Sequence, residues 1–379
     1  MKLIRAILVP FALLCVGLMR LLARYGIVIR IGEFWSPRLG HLAGNVECYL
    51  CERDEGMQKG FDIWTHHGPV ANRYLAKMWR RCLWVDPTRF TLLVSVVNRL
   101  FQGWEKFTCG SAQFDRDIYN LFNRYPAHLR FTEAEERRGE KTLREWGIPK
   151  GAKWVCLINR DSAYLPHLTY HNYRDSDIKD YMLASLELAT RGFHVFRMGA
   201  AVKSQLLIKH TMIHDYATNG MRSEFMDIYL GAKCEFCVSN GTGFDAIPYV
   251  FRRPICYVNL TQTEYMMTFV RDSLAIFKHH LKDGKRMTFQ EIWDSGCGQF
   301  MAERDFAAQS ISFENNSAQE IVQAVAEMCE YLKLLTPDRP AQKAFWNAFP
   351  RSVSPYNGKP LHGEIMMRIG SEFLKQYDT

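Results

Sequence analysis

The chain opens on an apolar run, AILVPFALLCVGLM at positions 6–19, bounded by Arg5 and Arg20. It falls short of the roughly 20 residues needed to span a bilayer unaided. A charged front and an apolar centre are shared with signal peptides, but the small-residue cleavage pattern is missing. Three readings compete: a helix buried in the fold, a monotopic anchor with Arg20 and Arg24 at the headgroups, and an uncleaved signal-anchor helix. The anchor is the expectation, because basic amphipathic sequence (RLLARYGIVIRIG) continues directly from the run.

Beyond it, β-branched runs alternate with helical periodicity. Ile27–Ile31, ended by Gly32, reads as a buried strand, and Phe61–Thr65 as another. Between them, 40–51 has apolar residues at helical spacing. Further helices are expected from Pro69 through Arg81, and after Asp86-Pro87 to about Gln102. The clearest helix is 131–147, where Thr132 and Glu135 have capping-box spacing and Gly147 is a stop signal. Pro149-Lys-Gly-Ala then reads as a hinge. The second half runs strand 154–158, helix 177–191, strand 193–197, helix 223–232, strand 235–238, a helix from Phe244, and strand 255–258. Crossovers of this length predict a doubly wound parallel sheet. Helices are expected again at 319–335 and near 362–376.

These elements divide the chain into an N-terminal helix (1–24), a first α/β domain (25–148), a second (149–335) and a helical tail (336–379) packing back on the first. No repeat or low-complexity tract interrupts them, and 24 Phe, 17 Tyr and 9 Trp supply ample core, which excludes a disordered or fibrous chain. The net charge is +8, and Lys2, Arg5, Arg20, Arg24 and Arg30 all precede the first acid, Glu33. A basic bias beside an apolar N-terminus suits an anionic membrane surface, and the mildly basic remainder argues against nucleic acid as a partner. Eleven cysteines are an odd number for a disulfide framework. Cys48/Cys51 and Cys234/Cys237 have CxxC spacing but lie far apart in sequence, so buried structural thiols are expected, with no metal and no cofactor.

In an open parallel sheet, ligands bind beyond the carboxyl ends of the strands. Arg160 and Asp161 follow one predicted strand, Arg197 and Gly199 the next, and Ser239, Asn240, Gly241, Thr242 and Gly243 a third. Two guanidinium groups and a glycine-rich turn leading into a helix would suit a diphosphate. Arg222 and Asp245 are further candidates for the same ligand. Tyr170, His171, Asn172, Arg174 and Asp175 form a polar, aromatic stretch able to stack on rings and bind hydroxyls or phosphate. No P-loop, GxGxxG, HExxH or GxSxG motif is present.

The runs RIGEFWSPRLGHLAGNVECYLCERD (30–54), INRDSAYL (158–165), YHNYRDSDIKDY (170–181), FRMGA (196–200), RSEFMDIYLGAKCEFCVSNGTGFDAIPYVFRRP (222–254) and YVNL (257–260) resemble a family of bacterial surface-carbohydrate glycosyltransferases. The resemblance covers about residues 25–265. It implies two Rossmann-like domains facing a cleft, the GT-B architecture, with a nucleotide-sugar on the C-terminal domain, the acceptor facing the N-terminal domain, and no metal. Asn159-Arg160 is also similar to the His-x-Arg stretch of GT-B fucosyltransferases, whose arginine holds the donor diphosphate. A metal-independent transfer to a lipid-linked or surface-glycan acceptor, at the cytoplasmic face of the inner membrane, is the function this implies. A nucleotide-sugar epimerase of the same architecture and a non-catalytic glycan-assembly scaffold are the alternatives. Arg160 would stabilise the leaving diphosphate, and His41 or Glu33 would serve as base, with His66-His67 behind them.

Overall fold

A computed structural model of the chain describes residues 2–110, 116–164, 166, 169–334, 340–355 and 357–377, with side chains from Leu8 onward at the amino end. The chain forms two compact units, one of residues 1–117 and 121–130, the other of 118–120 and 131–379.

In the first unit, α1 (Lys2–Arg24) leads to β1 (Ile29–Phe34), α2 (Leu39–Asp54), β2 (Phe61–His66), α3 (Arg73–Trp79), α4 (Phe90–Asn98) and the two-residue β3 (Thr108–Cys109). The three strands are parallel in the order β2-β1-β3, and Phe34 pairs with His66 at the carboxyl edge. Gly32 allows this packing, since a Cβ there would lie 2.4 Å from the Trp64 indole. Arg30 is buried, donating to both carboxylate oxygens of Asp62 at 2.7 and 3.0 Å, so its charge faces the core and not a membrane.

Helix α1 has two apolar faces. Ala12, Val16 and Met19 pack against Ile31, Val94, Val97 and Phe107, while Phe11, Leu14, Leu18 and Leu21 are exposed. No described helix is long and apolar enough to cross a membrane. Arg20, expected at the headgroups, instead turns inward, donating to the Gln102 carbonyl (3.1 Å) and Asn98 Oδ1 (3.2 Å). The Lys2 and Arg5 side chains lie outside the described residues.

The second unit begins with α5 (Glu133–Glu145), β4 (Trp154–Ile158), α6 (Met182–Thr190), β5 (His194–Arg197), β6 (Ile213–His214), α7 (Glu224–Lys233), β7 (Cys237–Ser239), α8 (Ala246–Val250), β8 (Ile255–Leu260) and β9 (Ser273–Phe277). A small antiparallel sheet follows, built from β10 (His279–Lys282), β11 (Lys285–Arg286) and, after α9 (Phe289–Asp294) and α10 (Glu303–Ala307), β12 (Ile311–Glu314). The chain closes with α11 (Ala318–Leu334), α12 (Pro340–Ala348), β13 (Met367–Ile369) and α13 (Ser371–Leu374). The main sheet is parallel, in the order β13-β9-β8-β7-β4-β5-β6. Strand order runs outward in both directions from the β4/β7 pair, which is therefore the topological switch point of a doubly wound sheet.

Two differences from the sequence reading concern the ends of this unit. Helix α5 has the expected capping box, with Thr132 N donating to Glu135 Oε2 at 2.9 Å and Glu135 N to Thr132 Oγ1 at 3.3 Å. Yet it belongs to the second unit, ahead of the expected hinge: Gly139 closes on the Tyr229 ring, and Lys233 pairs with Glu136 at 2.8 Å. The tail is also part of the second unit, where β13 extends the main sheet beside β9 and only the short α13 remains of the helix expected near 362–376. The expected boundary at 335/336 lies outside the described residues.

Candidate functional site

Beyond the carboxyl ends of β4 and β7, two loops are stitched together by one side chain. Asn240, buried after β7, accepts from the Arg160 backbone N–H at 2.8 Å and donates to the Arg174 carbonyl (2.9 Å) and Ser176 Oγ (3.1 Å). Asn159 adds a bond to the Ser176 carbonyl (3.1 Å). The segment 169–176 is thus drawn across the switch point as a 3₁₀ turn, Thr169–Arg174.

Two guanidinium groups converge there. Arg160 Nε lies 3.1 Å from Asp175 Oδ1, and its Nη2 is buried without a hydrogen-bond partner among the described residues. Arg174 Nη2 donates to the Gly241 carbonyl. Burial, and with it the positive charge of Arg160, pushes the Arg174 guanidinium below its ordinary range. Gly241 sits at φ +84°, in the left-handed region that favours glycine, and its missing side chain leaves room for Leu260 and Arg174. Asp175 is fixed from its other side by the Ser162 hydroxyl, which also reaches Asn172 Oδ1 at 2.8 Å. Tyr170, in the same 3₁₀ turn, is exposed, its ring 4.0 Å from that of His171.

Beneath the cluster lies a cation that the sequence reading missed. Lys278, directly after β9, donates to the carbonyls of Tyr173 (2.9 Å) and Asp175 (2.5 Å), and burial pulls its pKa down to about 8. Gln262, after β8, also holds the segment, donating to the Tyr173 hydroxyl at 2.7 Å. Lys278 could have been found by its place at a strand end, had β9 been predicted.

Three expectations need correction. Arg197 does not reach the open edge: it is fully buried, donating to Asp215 Oδ1 (3.3 Å) and the Ser204 carbonyl (3.0 Å). Asp161, 3.9 Å from Arg197, is likewise occupied, accepting from the backbone N–H groups of Ala163 and Lys203 at 3.1 and 2.7 Å. Together they brace the loop that starts at Gly199 (φ +153°), where a Cβ would strike Val202. Second, the glycine turn does not present a row of open amides. Ser239 Oγ takes the Gly241 N–H (3.1 Å), Asp245 takes that of Thr242 (2.9 Å), and Thr242 Oγ1 takes that of Phe244 (3.3 Å), leaving Gly243 exposed at the tip. Asp245 is a buried capping carboxyl, raised to about 6 by burial against the pull of its Ser239 and Thr242 hydrogen bonds. Third, Arg222 is committed to Asp227 at 2.7 Å, at the start of α7.

In the first unit, the carboxyl ends of β1 and β2 gather the base candidates. Glu33 accepts from Arg99 Nη2 (2.7 Å) and Ser95 Oγ (2.5 Å), with His67 Nδ1 at 3.3 Å. The carboxylate is therefore paired with a cation on one side and the His67 ring on the other. His67 is well exposed beside it. His66 is buried against Ser36 Oγ at 2.9 Å, and burial, then the charges of Arg80 and Arg89, lower its pKa. His41, in the first turn of α2, lies edge-on to Trp35 and 3.3 Å from Asn45 Oδ1. All eleven cysteines are without disulfide bonds.

No protein-family model matches the chain, and no curated protein matches it. Among solved structures it is similar to the ADP-heptose LPS heptosyltransferase II of E. coli, at 11% identity and TM-score 0.44 over 80% of this chain and 100% of that one. A family 9 glycosyltransferase of Veillonella parvula gives 8% identity and TM-score 0.44 over 80% and 97%. The dodecameric iron-containing glycosyltransferase TibC of enterotoxigenic E. coli gives 12% and 0.40 over 81% and 78%. All three are glycosyltransferases, and superposition at this level assigns no residue of the present chain a role.

Proposed function

We propose that the chain is a glycosyltransferase whose nucleotide-sugar diphosphate is received by Arg160 and Arg174 at the β4/β7 switch point. The observation that carries this reading is the pair of neighbouring guanidiniums, Arg174 on the Gly241 carbonyl and Arg160 beside Asp175, with a third cation, Lys278, under the same segment. As the sugar–oxygen bond breaks, negative charge grows on the leaving diphosphate. Fixed cations in a partly buried site stabilise that charge without reorganising. Arginine forks can give each phosphate two parallel hydrogen bonds, and Arg160 has a donor to spare. Tyr170, exposed in the same 3₁₀ turn as Arg174, offers a ring face for the base or sugar, and Arg197 with Asp161 shapes the neighbouring loop in place of touching the ligand.

Acceptor recognition is assigned to the carboxyl ends of β1 and β2 in the first unit, where exposed His67 beside Glu33 replaces His41 as first candidate for the base. A carboxylate that orients an imidazole is a common arrangement for proton abstraction. A lipid-linked or surface glycan as acceptor fits the exposed apolar face of α1, which would lie in the headgroup region with Leu14 and Leu18 inserted. On this reading the enzyme is a monotopic protein at the cytoplasmic membrane face.

The test is incubation of the full-length protein with a panel of nucleotide-sugars and a glycolipid extract in EDTA. Release of nucleoside diphosphate, lost in Arg160→Ala with circular dichroism unchanged, supports the transferase. A free epimer formed without acceptor would replace it by an epimerase, and unchanged cellular glycan in Arg160→Ala would replace it by a scaffold.

A further inference from the structure

Helix α2 carries three potential ligands at the spacing of one helical face: Glu47, Cys51 and Asp54, at i, i+4 and i+7. Glu47 and Cys51 are buried, although glutamate is among the residues least often found inside. Against them, still within the first unit, the 121–130 segment brings His128. His128 Nδ1 lies 3.2 Å from Glu47 Oε1, and Cys51 Sγ lies 3.9 Å from the same oxygen. One donor atom from each of the three residues falls within 4.8 Å of the other two.

We propose that Glu47, Cys51 and His128 form a structural Zn²⁺ site that ties α2 to the 121–130 segment. A tetrahedral zinc ion with bonds of about 2.0–2.3 Å has ligand–ligand edges of about 3.3–3.6 Å. The observed separations bracket that range, so small side-chain rotations bring the three protein donors onto the ion, with a water molecule as its fourth ligand. The donor set of one thiolate, one imidazole and one carboxylate suits Zn²⁺ better than Mg²⁺ or Ca²⁺, which take oxygen.

An independent feature agrees. Metal-binding histidines usually donate their second ring N–H to a carboxylate, which fixes the tautomer and the ring plane. His128 Nε2 sits 3.0 Å from Asp54 Oδ2, with Nδ1 left to face the cluster. Zinc entering the site displaces the Cys51 thiol proton and any proton on His128 Nδ1, and retains Nε2–H on Asp54. The ion's two positive charges are then balanced by the thiolate and the Glu47 carboxylate, leaving a neutral core. Cys82 lies outside the trio, its thiol donating to the His128 carbonyl at 3.5 Å. This site differs from the CxxC pairing considered on sequence, because Cys48 is not in it and Cys234 and Cys237 belong to the second unit. It does not depend on the glycosyltransferase reading.

The experiment uses full-length protein without an affinity tag, purified in the absence of chelators. Mass spectrometry of metal content should give close to one zinc per chain, and removal with EDTA should lower Tm, restored by added Zn²⁺. Reloading with Co²⁺ should give a thiolate-to-cobalt absorption band that Cys51→Ser abolishes and Cys82→Ser leaves unchanged. Asp54→Asn should weaken Co²⁺ binding about 10–100-fold while the band persists. Wild-type protein that holds neither zinc nor cobalt at stoichiometric level overturns the proposal, as does a band that survives Cys51→Ser. If Cys51→Ser fails to fold, wild-type stoichiometry together with the Asp54→Asn and Cys82→Ser variants still decides.

Discussion

Arg160 and Arg197 look equivalent in sequence, each at the end of a β-branched strand, and the structure gives them opposite duties. Arg160 keeps an uncommitted donor at the switch point, whereas Arg197 is sealed on Asp215, an acid 18 positions along the chain. No local pattern marks that partner, so the burial of Arg197 was not legible, while the place of Arg160 after β4 was. Removing one member of a buried ion pair strands the other's charge. Arg197→Ala should therefore destabilise the fold by about 3–5 kcal/mol in urea denaturation. The same change made at Arg160, with most of its cost in ligand binding, should leave the urea midpoint much closer to wild type. Lys278 supplies a pH signature. Its pKa, lowered to about 8 by burial, means that it is charged at neutral pH and neutral above that value. Because its folded-state pKa is depressed from 10.5, the unfolded chain binds more protons between about 8 and 10.5, and stability rises with pH in that window. Nucleoside diphosphate affinity should move the other way, falling as pH passes about 8, since a cation beneath the site is lost. A bound anion shifts that step to higher pH, and Lys278→Met should remove it from a titration series.

At the scale of elements, the legible pieces were those with two reinforcing signals. Helix α5 combines a capping box, acids in the first turn and a glycine stop, and it stands where the sequence placed it. Thr132→Ala should cost about 1 kcal/mol in thermal or urea unfolding, because the Glu135 N–H loses its Thr132 Oγ1 acceptor. Strands β9 and β13 were missed for a physical reason. Each is short and buried, and β13 (Met367-Arg-Ile369) gains its strand character from pairing with β9, not from its own alternation. Helix α1 shows a different kind of ambiguity. Its apolar run feeds both a packed face and an exposed one, so the buried-helix and anchor readings each describe half of it. Deleting residues 1–20 would strip Ala12, Val16 and Met19 from the core and confuse unfolding with release from lipid. Leu14→Glu combined with Leu18→Glu alters only the exposed face. That variant should keep its unfolding midpoint and lose co-sedimentation with anionic vesicles, and unchanged sedimentation would argue that the face does not touch lipid.

For the whole molecule, the net charge of +8 overstates the cationic surface near the amino end, since Arg30 and Arg20 turn inward. The α/β class and the doubly wound second half were readable from alternating strands and helices. Where one unit ends was not, because residues 118–120 and 121–130 fall to different units and α5 precedes the proline hinge that marked the expected boundary. What unifies the chemistry is a property of topology: strand order diverges at β4/β7, and the loops leaving those two strands carry Arg160, Asn240 and Gly241 to the same place. The most direct test is calorimetric titration of the full-length protein with UDP, GDP and ADP in EDTA, comparing wild type with Arg160→Ala, Arg174→Ala and the surface control Arg137→Ala. At least one nucleotide should bind wild type and the control alike. Each site variant should weaken it about 10–100-fold, the loss expected for charge-assisted hydrogen bonds of about 1.5–3 kcal/mol. Equal affinity in all four proteins would contradict a diphosphate site at the switch point, as would the absence of binding to any nucleotide.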